Sequence, residues 1–229
     1  MRLKPTFVFA AFSLLSSSLL HAKSDAEARL DSAADLLTEM MGASDKGVPQ
    51  DLIDKARCVI LVPGLKKAAF VVGAKYGRGF AVCRGEGGTG WSAPAGVRIE
   101  GGSFGFQIGG SEQDVLLLVM NDTGMKHLLS NKFTLGAEAT AAAGPVGRDV
   151  SAQTDAVLRA EMLSYSRSRG LFAGISLQGA TLRPDDDANG ELYGKDTENK
   201  EILMGHIKTP AAADNLEKLL NRNSSRQSR

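Results

Sequence analysis

The chain has 229 residues, 43% of them hydrophobic and 23% charged, with a formal net charge of +1. That is enough apolar material for one globular domain with a real core, or at most two small ones. Aromatic residues supply only 6%, too few stacking platforms to favour nucleic acid as a partner.

Residues 1–22, "MRLKPTFVFAAFSLLSSSLLHA", carry Arg2 and Lys4, then an apolar stretch from Phe7 to Leu20, then Ala22 before the polar "KSDAEARL". This is the pattern of a cleaved secretory signal, too short and too quickly followed by charge for a membrane span; a retained anchor helix is the alternative. The expectation is an exported protein, periplasmic or secreted. Loss of Arg2 and Lys4 with the leader takes the formal charge from +1 to −1.

Residues 25–41, "DAEARLDSAADLLTEMM", place Leu30, Ala33, Ala34, Leu37 and Met41 on one helical stripe. Asp25, Glu27, Asp31, Asp35 and Glu39 occupy the other face against Arg29. So acidic a helix is a poor ligand for anionic lipid and is expected to pack on the domain. Pro49 fits the first turn of a second helix, about 49–57.

From Cys58 the texture is that of strands. "CVILV" is expected to stop at Pro63-Gly64, and "AAFVVGAK" and "GFAVCR" read as a hairpin with Lys75, Tyr76 and Arg78 at its tip. Later strands are expected in "VRIEGGSFGFQIGG", in the apolar run "DVLLLVMN" and in "EMLSYSRSRGLFAGISLQGATL". A helix is expected at "TGMKHLLSN" and a last one from Thr209, with Pro210 at its first position, before the basic tail "RNSSRQSR". Glycines inside strands mark bends and bulges. The expected class is α+β: a strongly bent antiparallel sheet or barrel-like core with N-terminal and C-terminal helices. One domain is expected over 23–208, followed by the C-terminal helix and tail over 209–229.

The window 55–84 holds Lys55, Arg57, Lys66, Lys67, Lys75, Arg78 and Arg84 and no acid. Such segregation makes a local positive field even in a nearly neutral molecule, although a solubilising face is the bland alternative. Cys58 and Cys83 are the two cysteines. Export makes a disulfide between them reasonable, with two buried free thiols as the alternative.

Other motifs carry less. "GEGGTG", 85–90, matches a dinucleotide fingerprint, but Trp91-Ser92-Ala93-Pro94 cannot open the helix that a pyrophosphate needs. "DDDANGELYGKD", 185–196, puts Asp185, Asp187 and Asn189 at calcium-loop positions one, three and five. Its twelfth residue, Asp196, is short of the usual glutamate, and the segment before it ends in proline where a helix should enter. The competing reading is a short helix through Ala188–Leu192, capped by Asp185 or Asp187 and ended by Gly194. A hydrolase would have to use Ser164 or Ser166 with His127, yet "SYSRSRG" lacks the strand–elbow–helix setting of a nucleophilic serine. Neither an enzymatic activity nor a cofactor is expected.

The blocks "PGLKKAAFVVGAKYGRGFAVCR", "WSAPAGVRIEGGSFGFQIGGSEQDVLLLVMN", "KFTLGAEATAAAGPVGRD", "SYSRSRGLFAGISLQGA" and "DDDANGELYG" follow one another as in SYLF domains. The resemblance runs from about Ala33 to Gly194. It implies a compact α+β fold around a bent sheet, phospholipid binding (notably of phosphoinositides), actin binding in the yeast members, and no catalysis. Export sets this chain apart from the cytosolic members and makes actin an improbable partner. The expected function is peripheral binding to an anionic phospholipid surface through Lys66, Lys67, Lys75, Tyr76, Arg78 and Arg84. The alternative is an envelope protein-interaction or structural module with no lipid affinity.

Overall fold

The computed structural model describes residues 23–43, 47–88, 90–146, 159–168, 170–194, 197–205 and 207–223, without the side chains of 69–72, 86 and 103–109. The expected leader, 1–22, and the end of the basic tail, 224–229, lie outside the described residues.

Helix α1, Asp25–Gly42, starts at a capping box: the Ser24 hydroxyl accepts from the Glu27 N–H while the Glu27 carboxylate accepts from the Ser24 N–H. Its apolar stripe buries Leu30, Ala33, Ala34 and Leu37 as expected, with Leu36 and Met40 besides, while Met41 is only half-buried. A short helix α2, Gln50–Lys55, follows Pro49 and leads into the sheet.

Two long strands make the framework. β1, Cys58–Cys83, and β2, Ala95–Val119, pair antiparallel along nearly their whole length, from Cys58 opposite Val119 to Ala81 opposite Ala95. The expected break at Pro63-Gly64 is instead a bulge within β1. There the register shifts between Val62 and Leu65, and Gly64 takes φ +60, with its N–H donating to the Asp114 carboxylate at 2.9 Å. The expected hairpin at Tyr76–Arg78 is absent: the segments on either side of it both pair with β2. Alternation and glycines in the sequence could not distinguish a turn from a strand that curls.

The curl is extreme. The two ends of β1 meet, Cys58 disulfide-bonded to Cys83 with their Cα atoms 4.0 Å apart. Between them a Cβ on Gly79 would overlap the Leu61 carbonyl, and one on Gly77 would stand 2.8 Å from the Leu65 side chain. The ribbon is therefore folded over on itself, its first half stacked on its second. Val71 opposite Gly105 marks the bend.

The other strands extend β2. Its first half pairs with β7, Thr181–Pro184, which also takes β3, Phe133–Thr134; its second half pairs with β5, Met162–Ser168. On the far side of β5 lie β4, Ala141–Ala143, and β6, Leu171–Gly174. β4 runs parallel to β5, the one departure from the expected antiparallel pattern among these pairs. The result is a curled, half-barrel sheet.

Each face of the curl has its own core. Ile60, Val62, Ile99, Leu117, Phe133 and Leu182 fill the interior, while Leu61, Phe80, Leu116 and Leu118 pack outward against α1. Val115–Val119 is buried on both faces for this reason, as its unbroken apolar run implied. Helix α3, Asp122–Leu128, follows β2; α4, Asp186–Tyr193, α5, Asn199–Met204, and α6, Asp214–Arg222, close the chain. Leu216 and Leu220 of α6 join the core under α1.

Candidate functional site

The seven cations of 55–84 do not form one patch. Arg84 is buried, 5% exposed; its guanidinium donates to the carbonyls of Ala56, Ile53 and Asp54 and lies 4.4 Å over the Trp91 ring. It ties α2 to the end of β1 and leaves the expected lipid-binding set. Arg78 leaves it too. It donates through Nε and Nη2 to the two carboxylate oxygens of Asp185, whose side chain is wholly buried. The hydrogen bond from Arg78 to Asp185 is the main reason that its pKa stands above the ordinary arginine value. Arg57 pairs with Asp122 at 3.0 Å near the disulfide, at the other end of the ribbon from the bend.

Asp185 and Asn189 are equally committed, and Asp187 is not. Asp185 also accepts from the Ala188 N–H at the start of α4, the capping role. Asn189 accepts from the Gly96 N–H at 2.7 Å and donates to Asn199 at 2.6 Å, and Asp187 stands exposed, 3.9 Å from Arg78. Asp185 and Asn189 are held by protein groups while Asp187 faces solvent, so the three do not gather on one cation position; Asp196 is outside the described residues. Ser164 is buried, its hydroxyl between the carbonyls of Ala142 and Ile175 at 3.1 and 2.7 Å, a strand-tethering arrangement.

Lys55 stands exposed in the last turn of α2, which leaves Lys66, Lys67 and Lys75, with Tyr76, at the bend end. The folded ribbon sets the geometry. Cys58 faces Cys83 and Leu65 faces Gly77, so two residues further toward the bend Lys67 faces Lys75. Both follow the interior face, in step with Leu65 and Gly77. Each is half-buried, and burial pushes the Lys67 ammonium below the ordinary lysine value. Burial, and then the charge of Lys67, does the same to Lys75. Lys75 donates to the Gln178 carbonyl at 3.3 Å, a neutral partner. Lys66 and Tyr76 are exposed on the outer face. Glu112, directly opposite Lys66, lies over Gly64, its carboxylate 2.7 Å from the position of a Cβ there.

The sequence reading missed an arginine row. Arg78, Arg98 and Arg183 stand directly opposite one another across β1, β2 and β7, and Arg98 and Arg183 share Glu100 at 3.2 and 3.4 Å. No local signal reveals it, because it depends on the register of three strands far apart in the chain.

These features define an α+β domain built on one folded-over ribbon, basic at its bend. The chain matches the Ysc84 family, described as a Las17-binding protein actin regulator, over residues 100–223, and it belongs to that family, the SYLF domains. It is 36% identical over 186 residues to an SH3 domain-containing protein of Schizosaccharomyces pombe, covering 80% of this chain and 43% of the relative. It is 35% identical over 178 residues to the SH3 domain-containing YSC84-like protein 1 of Rattus norvegicus, covering 77% and 52%. Protein YSC84 of Saccharomyces cerevisiae is 31% identical over 185 residues, covering 80% and 39%. The chain thus spans about half the length or less of these relatives. The family's description is that of an actin regulator and names no catalytic activity.

Proposed function

We propose that this domain docks peripherally on anionic phospholipid surfaces, without catalysis, through Lys66, Lys67 and Lys75 at the bend of the folded ribbon, with Tyr76 beside them. The observation that carries this reading is Lys67 facing Lys75 from the two stacked halves of β1. Two ammonium groups held together at the cost of their own repulsion and desolvation suit a phosphate placed between them. Arg78 and Arg84 have no part in it.

The magnitude is modest. Each lysine near an anionic surface contributes about 1 kcal/mol. Three give about 3 kcal/mol, below the roughly 4 kcal/mol of a millimolar affinity. Apolar contact has to supply the rest. Tyr76, 47% exposed, is the candidate. α1 is not the membrane element, since its apolar stripe is buried against the sheet. Phosphoinositides and other anionic lipids fit the chemistry equally, and the leader-like segment 1–22 supports an exported, periplasmic or secreted setting.

A second reading is a protein-binding module. The family's description as a Las17-binding actin regulator favours it, with an envelope protein as the partner of an exported member. Flotation with vesicles of phosphatidylcholine, with and without phosphatidic acid or phosphatidylserine, separates the two. The lipid reading requires retention by the anionic vesicles alone; no retention by either kind leaves the protein-binding reading.

A further inference from the structure

The arginine row is a second basic feature that lipid docking does not use. Arg98 and Arg183 stand directly opposite each other on the outer face of the sheet, whereas Lys67 and Lys75 follow the interior face. Like charges placed opposite on adjacent strands are destabilising unless an anion answers them. Arg78, the third member of the row, is matched by Asp185. Arg98 and Arg183 have one carboxylate between them. A single Glu100 oxygen lies 3.2 Å from Arg98 Nε and 3.4 Å from Arg183 Nη2. Both Nε atoms are buried without a hydrogen-bond partner among the described residues, so the shared carboxylate satisfies neither guanidinium fully.

The two side chains are nonetheless 24% and 37% exposed, and both line one recess of about 380 Å³. That volume falls within the range of small-ligand sites, about 300–1,000 Å³. Lys200, in the first turn of α5, lines the same recess, exposed and without an ion pair among the described residues. Asp186, at the start of α4, and Glu198, just before α5, line it too, exposed and likewise unpaired among the described residues. Arg98, Arg183 and Lys200 exceed Glu100 by two positive charges, and a phosphate monoester carries about two negative ones at neutral pH. One guanidinium fork fills the two oxygens of a carboxylate, whereas the three oxygens of a phosphate can serve two forks.

We propose that this recess binds a small soluble phosphate monoester whose other end carries an ammonium group. The phosphate accepts from the guanidinium groups of Arg98 and Arg183, with Lys200 beside it, and the ammonium meets Asp186 and Glu198. These two acids set the site against polyanions and leave it separate from the docking surface at the lysine pair.

The probe is O-phosphoethanolamine; the control is n-propyl phosphate, which has the same length and no ammonium. Backbone amide resonances of Ser130 and Lys200, both in the lining, follow the titration at constant ionic strength. Phosphoethanolamine is expected to move both saturably and with one affinity. Propyl phosphate is expected to bind about two- to fivefold more weakly, as loss of one exposed ion pair implies. Arg183→Gln should weaken both phosphates by about tenfold or more, the effect of losing a hydrogen bond to a charged group. Circular dichroism checks its fold. Should that variant not fold, Lys200→Gln on the exposed surface of α5 decides, with about two- to fivefold weakening expected. Saturating phosphoethanolamine should not release the protein from phosphatidylserine vesicles. No saturable shift with either phosphate, equal binding of the two, or unchanged affinity in the deciding variant overturns the proposal. So does release from the vesicles, which would place the phosphate on the lysine pair.

Discussion

Lys67 stands across the folded ribbon from Lys75, in the same relation that Leu65 bears to Gly77 and Cys58 to Cys83. One strand thus brings two of its own cations, eight residues apart in the sequence, close enough for the charge of one to act on the other.

Gly79→Ala tests the stacking itself. The new methyl would overlap the Leu61 carbonyl, a backbone atom that cannot turn aside. The expected loss is about 3 kcal/mol or more, since overpacking against backbone exceeds the usual cost against side chains. Urea denaturation measures it; an unchanged midpoint would mean that the two halves of β1 do not touch there.

Replacing Cys58 and Cys83 by serine opens the loop that joins the ends of β1. A loss of about 3 kcal/mol in unfolding free energy is expected from chain entropy. A reducing agent should lower the wild-type midpoint by the same amount and leave the double variant unaffected.

Arg78→Met separates the structural arginine from the surface lysines. It leaves Asp185, whose side chain is fully buried, without its cation, at a cost of about 3–5 kcal/mol. Liposome retention of the folded fraction should not change. The reverse pattern, intact stability with lost retention, would return Arg78 to the lipid-facing set.

The lysine pair should also give lipid binding an unusual alkaline limit. Both ammonium groups have pKa values below the ordinary 10.5. They therefore lose charge, and the anionic surface loses its hold, at lower pH than free lysines would. Stability moves the other way. The unfolded chain binds these protons more tightly than the fold does, so stability attributable to the pair rises with pH between the folded and unfolded pKa values. Vesicle retention and urea midpoints across that window, against Lys67→Met/Lys75→Met, check both signs; a variant that tracks the wild type in both contradicts the coupling.

The parts of the fold legible in sequence were those set by local rules. The stripe through Leu30 and Leu37 and Gly194 after α4 are spacing and capping signals, and the structure bears them out; the Ser24–Glu27 capping box at the start of α1 was as local a signal and went unread. The unbroken run Val115–Val119 correctly signalled a strand between two cores. The hairpin at Tyr76–Arg78 failed because a strand of glycines and β-branched residues looks the same whether it turns or curls, and only pairing with β2 decides. The basic window failed in part for the same reason. Local charge counting cannot see that Asp185, more than a hundred residues away, sits where Arg78 arrives, or that three backbone carbonyls receive Arg84.

The most direct test of the account is flotation of the wild-type protein and of Lys67→Glu/Lys75→Glu with phosphatidylserine-containing vesicles at rising salt. The account predicts that the wild type floats at low salt and is released as salt rises, and that the double variant stays unbound throughout with an unaltered circular-dichroism spectrum. Equal flotation of a folded double variant, or wild-type flotation that salt does not touch, would contradict it.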